Sequence, residues 1–143
     1  MNMLVCLEVI WVLSREQLQG ILLAASRPEL TIYRNEKKNL GYEVRARVFF
    51  RADSSAFLEH VKIALEEENI ASQYRLAESK VRPKPVLWVS GITNLVRLSS
   101  LVPNYPDSKI QWDYFKLALD TIYEGEHNTQ AGLDKLLKLK GLL

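Results

Sequence analysis

Residues Tyr42 to Arg51, Y-E-V-R-A-R-V-F-F-R, set the strictest condition on the fold of this chain. Val44, Ala46 and Val48 alternate with Glu43, Arg45 and Arg47, the period of two that a β-strand creates by sending successive side chains to opposite faces. One face is apolar and the other basic. Such a strand belongs in an antiparallel sheet that packs helices on one side and meets water on the other. Arg27-Pro28 interrupts the preceding periodicity, after which Leu30 to Arg34 alternates as a shorter strand. The polar stretch Asn35 to Gly41 reverses the chain between the two.

Helices flank these strands. Ser14 and Gln17 have the spacing of a capping box, so a helix starts near Arg15 and runs toward Ser26. Gly20 and Ala24 stand four apart on one face of it, where the lack of bulk suits close helix-to-helix contact. Ser54 caps a second helix whose apolar positions include Phe57, Leu58, Val61 and Leu65; it ends near Asn69, after Glu66-Glu67-Glu68, read as a solvated face. Two more strands, Gln73 to Lys80 and Pro85 to Ser90, are separated by Val81-Arg82-Pro83-Lys84. A third helix spans Ile92 to Val102 and stops at Pro103. The loop Asn104 to Asp107 leads to a fourth, Ser108 to Tyr123, with the stripe Trp112, Phe115, Leu119 and Ile122 closed by Gly125. The last helix spans Thr129 to Lys140, with lysines late in it, where the helix dipole favours cations. The order is α+β, a single domain over 1–143, with residues 1–13 as an N-terminal extension for which alternating and helical readings both stand.

Composition excludes several functions. Nineteen basic against 17 acidic residues give only +2, so a basic surface has to come from local clustering. Cys6 is the single cysteine, and no Cys/His cluster has zinc spacing, which fits a reducing, cytoplasmic setting. Met1 to Leu13 has no basic n-region, is interrupted by Glu8 and is too short to span a bilayer, so no membrane association is expected. There is no phosphate-binding glycine loop, and neither His60 nor His127 stands beside the partners of a nucleophilic triad.

With helices on one side of the sheet, the open side presents Thr31, Tyr33, Glu43, Arg45, Arg47, Arg75, Ser79, Lys84 and Trp88. Guanidinium groups among polar and aromatic neighbours suit phosphates and base edges. The same residues also serve as a solvated strand face that discourages edge-to-edge aggregation.

In this order the chain resembles the LAGLIDADG homing endonucleases. The residues carrying the resemblance are Leu18 to Ser26, with Leu18, Gly20 and Ala24 identical to the name motif; Tyr42 to Val61; Val89 to Leu95; Tyr105-Pro106-Asp107-Ser108-Lys109 with Trp112 and Phe115; and His127 to Leu133. The resemblance implies a homing-endonuclease-like α+β fold, an antiparallel four-stranded saddle sheet for DNA, and a homodimer formed through the motif helix by Gln17, Gly20, Ile21 and Ala24. The metal-binding acid of active members falls at Ala25, and the motif's other acid at Leu23. Alanine offers magnesium no oxygen ligand. Glu29 and Asp53 read as strand-end or capping residues rather than substitutes. Lys109 falls where the family keeps a basic residue near the catalytic water, a remnant.

The expectation is a nucleic-acid-binding homodimer, with double-stranded DNA as partner, that has no cofactor and does not cleave. The alternatives are an active magnesium-dependent endonuclease with a displaced site, and an RNA-binding, maturase-like or protein-interaction module.

Overall fold

The computed structural model describes residues 12–103 and 110–143. The N-terminal extension lies outside them as far as residue 11, as do residues 104–109, and with them Lys109.

Helix α1, Arg15–Ala25, opens on the expected box: Gln17 N donates to Ser14 Oγ at 3.1 Å and Ser14 N to Gln17 Oε1 at 2.8 Å. It passes without a turn into β1, Ser26–Arg34. The strand thus begins before Pro28, because β1 is the outer strand of the sheet, where a missing N–H costs no ladder bond. At this junction the Leu22 carbonyl accepts from Ser26 Oγ at 2.5 Å and from the buried Trp112 Nε1 at 2.9 Å, so a helix end that would leave orphan carbonyls is satisfied.

Strand β2, Tyr42–Arg51, lies antiparallel to β1, with Thr31 opposite Arg45 and Tyr33 opposite Glu43. Helix α2, Ser55–Glu67, follows. Asn69, at φ 61°, turns the chain out of it in the left-handed conformation asparagine tolerates. Only part of the acidic run is solvated: Glu66 and Glu67 are exposed, while Glu68 pairs with Arg15 at 2.5 Å. Strand β3, Gln73–Arg75, is shorter than its sequence pattern, since the next residues leave the sheet, with Glu78 N donating to Lys84 O and Ser79 N to Arg82 O. Strand β4, Val86–Ser90, completes a sheet of order β1-β2-β4-β3, antiparallel throughout.

Helices α3, Ile92–Ser100, α4, Gln111–Tyr123, and α5, Gln130–Leu142, close the chain, with a 3₁₀ turn at Glu126–Asn128 before the last. Helix α4 starts where Ile110 N donates to Asp113 Oδ2 at 2.9 Å. The main core gathers Leu18 and Leu22 of α1, Val48 and Phe50 of β2, Leu58 and Val61 of α2, Leu87 and Val89 of β4, and Leu95, Leu98, Trp112 and Phe115. A second cluster sets Leu30 against Ala118, Leu136 and Leu139. Each such side chain contributes about 1.5–3 kcal/mol when fully buried. Because each described helix spends its apolar stripe on the same side, the other side of the sheet is left open by the described residues.

Candidate nucleic-acid interface

Strand pairing decides which residues share the open face, since partners across an antiparallel ladder point the same way. Glu29 faces Arg47, Thr31 faces Arg45 and Tyr33 faces Glu43 across β1 and β2; Arg47 faces Ser90 and Phe49 faces Trp88 across β2 and β4; Trp88 and Val86 face Gln73 and Arg75 across β4 and β3. Thr31, Tyr33, Arg45, Arg47, Arg75 and Trp88 are thereby brought onto one surface. Lys84 lies before β4, its ammonium 2.8 Å from Asp53 Oδ1.

Arginines and aromatic rings interleave on this surface. The guanidinium carbons of Arg45, Arg47, Arg51 and Arg75 stand 5.5, 5.0, 4.5 and 5.6 Å from the ring centroids of Tyr33, Phe49, Phe49 and Trp88. The Phe49 and Trp88 rings stack at 6.3 Å. A guanidinium over a ring is attracted by the ring's quadrupole, and it is more weakly hydrated than an ammonium. Phe49 and Arg51, which the sequence reading does not assign to the open face, continue the odd-numbered parity of Glu43, Arg45 and Arg47, while Phe50 beside them is core.

Charge accounting divides the arginines into two groups. Arg51 donates from Nε and Nη2 to the Glu78 carboxylate at 2.9 Å and lies 3.7 Å from Glu29; Arg82 lies 3.1 Å from Glu78, and Arg27 3.5 Å from Glu29. Glu78 is held below the usual carboxylate range chiefly by its hydrogen bond from Arg51. Arg45, Arg47 and Arg75 pair with no carboxylate within 4.0 Å among the described residues. Arg45 donates to the Tyr33 hydroxyl at 3.0 Å, and that hydroxyl in turn donates to Glu43, which raises the tyrosine pKa and lowers the glutamate's. Arg47 keeps a buried Nε with no acceptor among the described residues. The surface therefore has an electrostatically spent end and an available middle.

On α1, Gln17, Gly20 and Ala24 are exposed and Ile21 is half-buried, so the small-residue face points away from the chain's own core. A β-carbon built at Gly20 meets open space. Ala25 ends the helix, exposed, at the position the resemblance gives to the metal-binding acid. The neighbouring groups do not fit a divalent ion: Ser26 Oγ is engaged by Leu22 O, Glu29 by Arg27 and Arg51, and Asp53 by Lys84. Among the described residues no three His, Cys, Asp or Glu side chains converge, and no helix is long and apolar enough to cross a membrane.

No family model and no curated protein sequence matches this chain. Solved structures do. The homing endonuclease I-TnaI is similar with a TM-score of 0.75 at 19% identity, over 91% of this chain and 87% of that one. The archaeal intron-encoded homing endonuclease I-Vdi141I, complexed with DNA, is similar with a TM-score of 0.73 at 22% identity, over 88% of this chain and 79% of that one. The LAGLIDADG meganuclease I-CpaMI, bound to uncleaved DNA, is similar with a TM-score of 0.73 at 20% identity, but this chain spans only 44% of its length. The helix-hairpin-helix-hairpin order, the four-stranded antiparallel sheet and the helices gathered on one side of it are those of these proteins: the chain has the LAGLIDADG homing-endonuclease fold.

Proposed function

We propose that this protein binds double-stranded DNA through the open face of its sheet, as a homodimer, without metal-dependent cleavage at the end of α1. The observation that carries the reading is the row of guanidinium groups, Arg45, Arg47 and Arg75, paired with no described carboxylate and set among aromatic rings on a sheet face that none of the described helices covers. Cations already held by carboxylates have little to gain from phosphate; these three do not carry that burden. The DNA-bound state of I-Vdi141I and I-CpaMI supports duplex DNA as the partner.

A second copy of the chain is the proposed occupant of the Gln17, Gly20, Ile21 and Ala24 face, because backbones approach closely where side chains are small and none of the described residues covers Gly20. Non-cleavage follows from Ala25, whose methyl group cannot coordinate magnesium. Gel-shift titration with duplex DNA tests the binding, and incubation with supercoiled plasmid and magnesium tests the chemistry. Binding with plasmid left intact is expected; persistent nicking by purified protein overturns the reading of Ala25.

A further inference from the structure

We propose that the cleft beside the inner edge of β2 is a pocket for a single unstacked nucleotide, with its phosphate at Arg45 and Arg47 and its base in the apolar depth. The cleft exists because the two ladders of β2 differ in length. β1 accompanies β2 from Phe50 to Tyr42, whereas β4 accompanies it only from Arg51 to Arg47 and then leaves the sheet at Gly91, φ 86°, to enter α3. Among the described residues, Tyr42 to Ala46 thus have no strand neighbour on the β4 side, and a cleft of about 440 Å³ opens there. Its volume lies within the range of about 300–1,000 Å³ usual for small-ligand sites.

The lining suits both ends of a nucleotide. Toward the open face stand Arg45, Arg47 and Trp88; toward the helices stand Ile92, Leu95 and Ile122. Arg47 Nε is buried without an acceptor, a costly state that an anionic oxygen in the cleft relieves. Alternate residues of a strand direct both N–H and C=O to the same side, so the free edge of β2 offers donors and acceptors to the rim of a base. A purely apolar ligand would leave two guanidinium groups unanswered, and a bare anion would leave the depth empty. A nucleotide stacked and paired within a duplex cannot reach the cleft, but an unpaired one can. The inference rests on the nucleic-acid reading of the same face.

The test compares a fully paired duplex with one carrying a single unpaired 2-aminopurine, using the full-length chain. The unpaired duplex is expected to bind about tenfold tighter, as one base's stacking energy implies, with its fluorescence quenched beside Trp88. Ile122→Trp fills the depth from the helix side, away from the charges, and should abolish the preference while keeping affinity for the paired duplex; if that variant fails to fold, Ile92→Phe fills the same space. Equal affinity for the two duplexes, or a preference that survives filling, overturns the pocket. If neither duplex binds, the nucleic-acid reading fails, and calorimetry with free deoxyadenosine monophosphate decides the pocket alone: binding lost on filling keeps it as a mononucleotide site, and no binding overturns it.

Discussion

Replacing Arg45 and Arg47 together by alanine separates the arginines that are available from those that are not. Each guanidinium placed on a phosphate releases counterions and steepens the fall of log affinity with log salt by about 0.9. Loss of two should therefore flatten the slope by about 1.8 per protomer and about 3.6 for the homodimer, so that between 50 and 200 mM salt the variant dimer loses about 150-fold less affinity than the native one. Arg51→Ala is the control. Its charge is already answered by Glu78 at 2.9 Å and Glu29 at 3.7 Å, so the slope should stay where it is. What Arg51→Ala should cost is stability: with only about a quarter of either side chain exposed, losing hydrogen bonds to Glu78 removes about 1–2 kcal/mol and lowers the melting temperature by about 3–8 °C. Fluorescence anisotropy with a labelled duplex over that salt range, beside thermal melts of the same samples, reads both quantities. A slope flattened as much by Arg51→Ala as by the double substitution would refute the charge accounting, and an unchanged slope in the double variant would refute the sheet face as the binding surface.

Gly20→Leu should abolish the dimer in sedimentation yet leave the monomer as stable or more so, because the new β-carbon meets none of the described residues and leucine favours helix by about 0.8 kcal/mol over glycine; an unchanged mass refutes α1 as the interface. Gly132→Ala should be far more damaging, since its β-carbon would stand 1.9 Å from the Glu126 carbonyl oxygen and 2.5 Å from its carbon. Relief requires the 3₁₀ turn to move off α5, at about 1–3 kcal/mol or more, and an unshifted denaturation midpoint would contradict that close approach. Acid should destabilise the fold through Glu78, Glu68 and Glu43, each held below its ordinary pKa by a hydrogen bond, from Arg51, Arg15 and Tyr33 respectively. The unfolded chain then binds more protons than the folded one, so their contribution is complete above about pH 4.3, the unfolded glutamate value, and is lost as pH falls through the lowered values. Melting temperature against pH checks the sign, and a rise on acidification through that window would reverse the argument.

Short-range rules made much of this protein legible in its sequence. The Ser14–Gln17 box starts α1, the alternation of Tyr42 to Arg51 makes β2 two-faced, and the stripe of Trp112, Phe115 and Leu119 builds α4, each within a few residues of chain. The open face could be read in outline for the same reason: parity along a strand is local. Length was less legible. Pro28 looked like a break and Lys80 like a strand end, but β1 tolerates the proline as an outer strand, and β3 stops at Arg75 because Glu78 and Lys84 draw the chain into a turn.

Only the tertiary structure decided which charges are spent. Arg51 and Arg47 are indistinguishable in the strand pattern, yet Glu78 arrives from 27 residues away to neutralise one and no described carboxylate pairs with the other. The unequal ladders on β2, and hence the cleft beside it, likewise depend on where β4 turns away at Gly91. Sequence by itself determined the order of the elements and the two faces of β2, because these depend on neighbours in the chain. The balance of charge across the open face required the fold, because ion pairing depends on separations of a few ångströms between residues that only folding brings together.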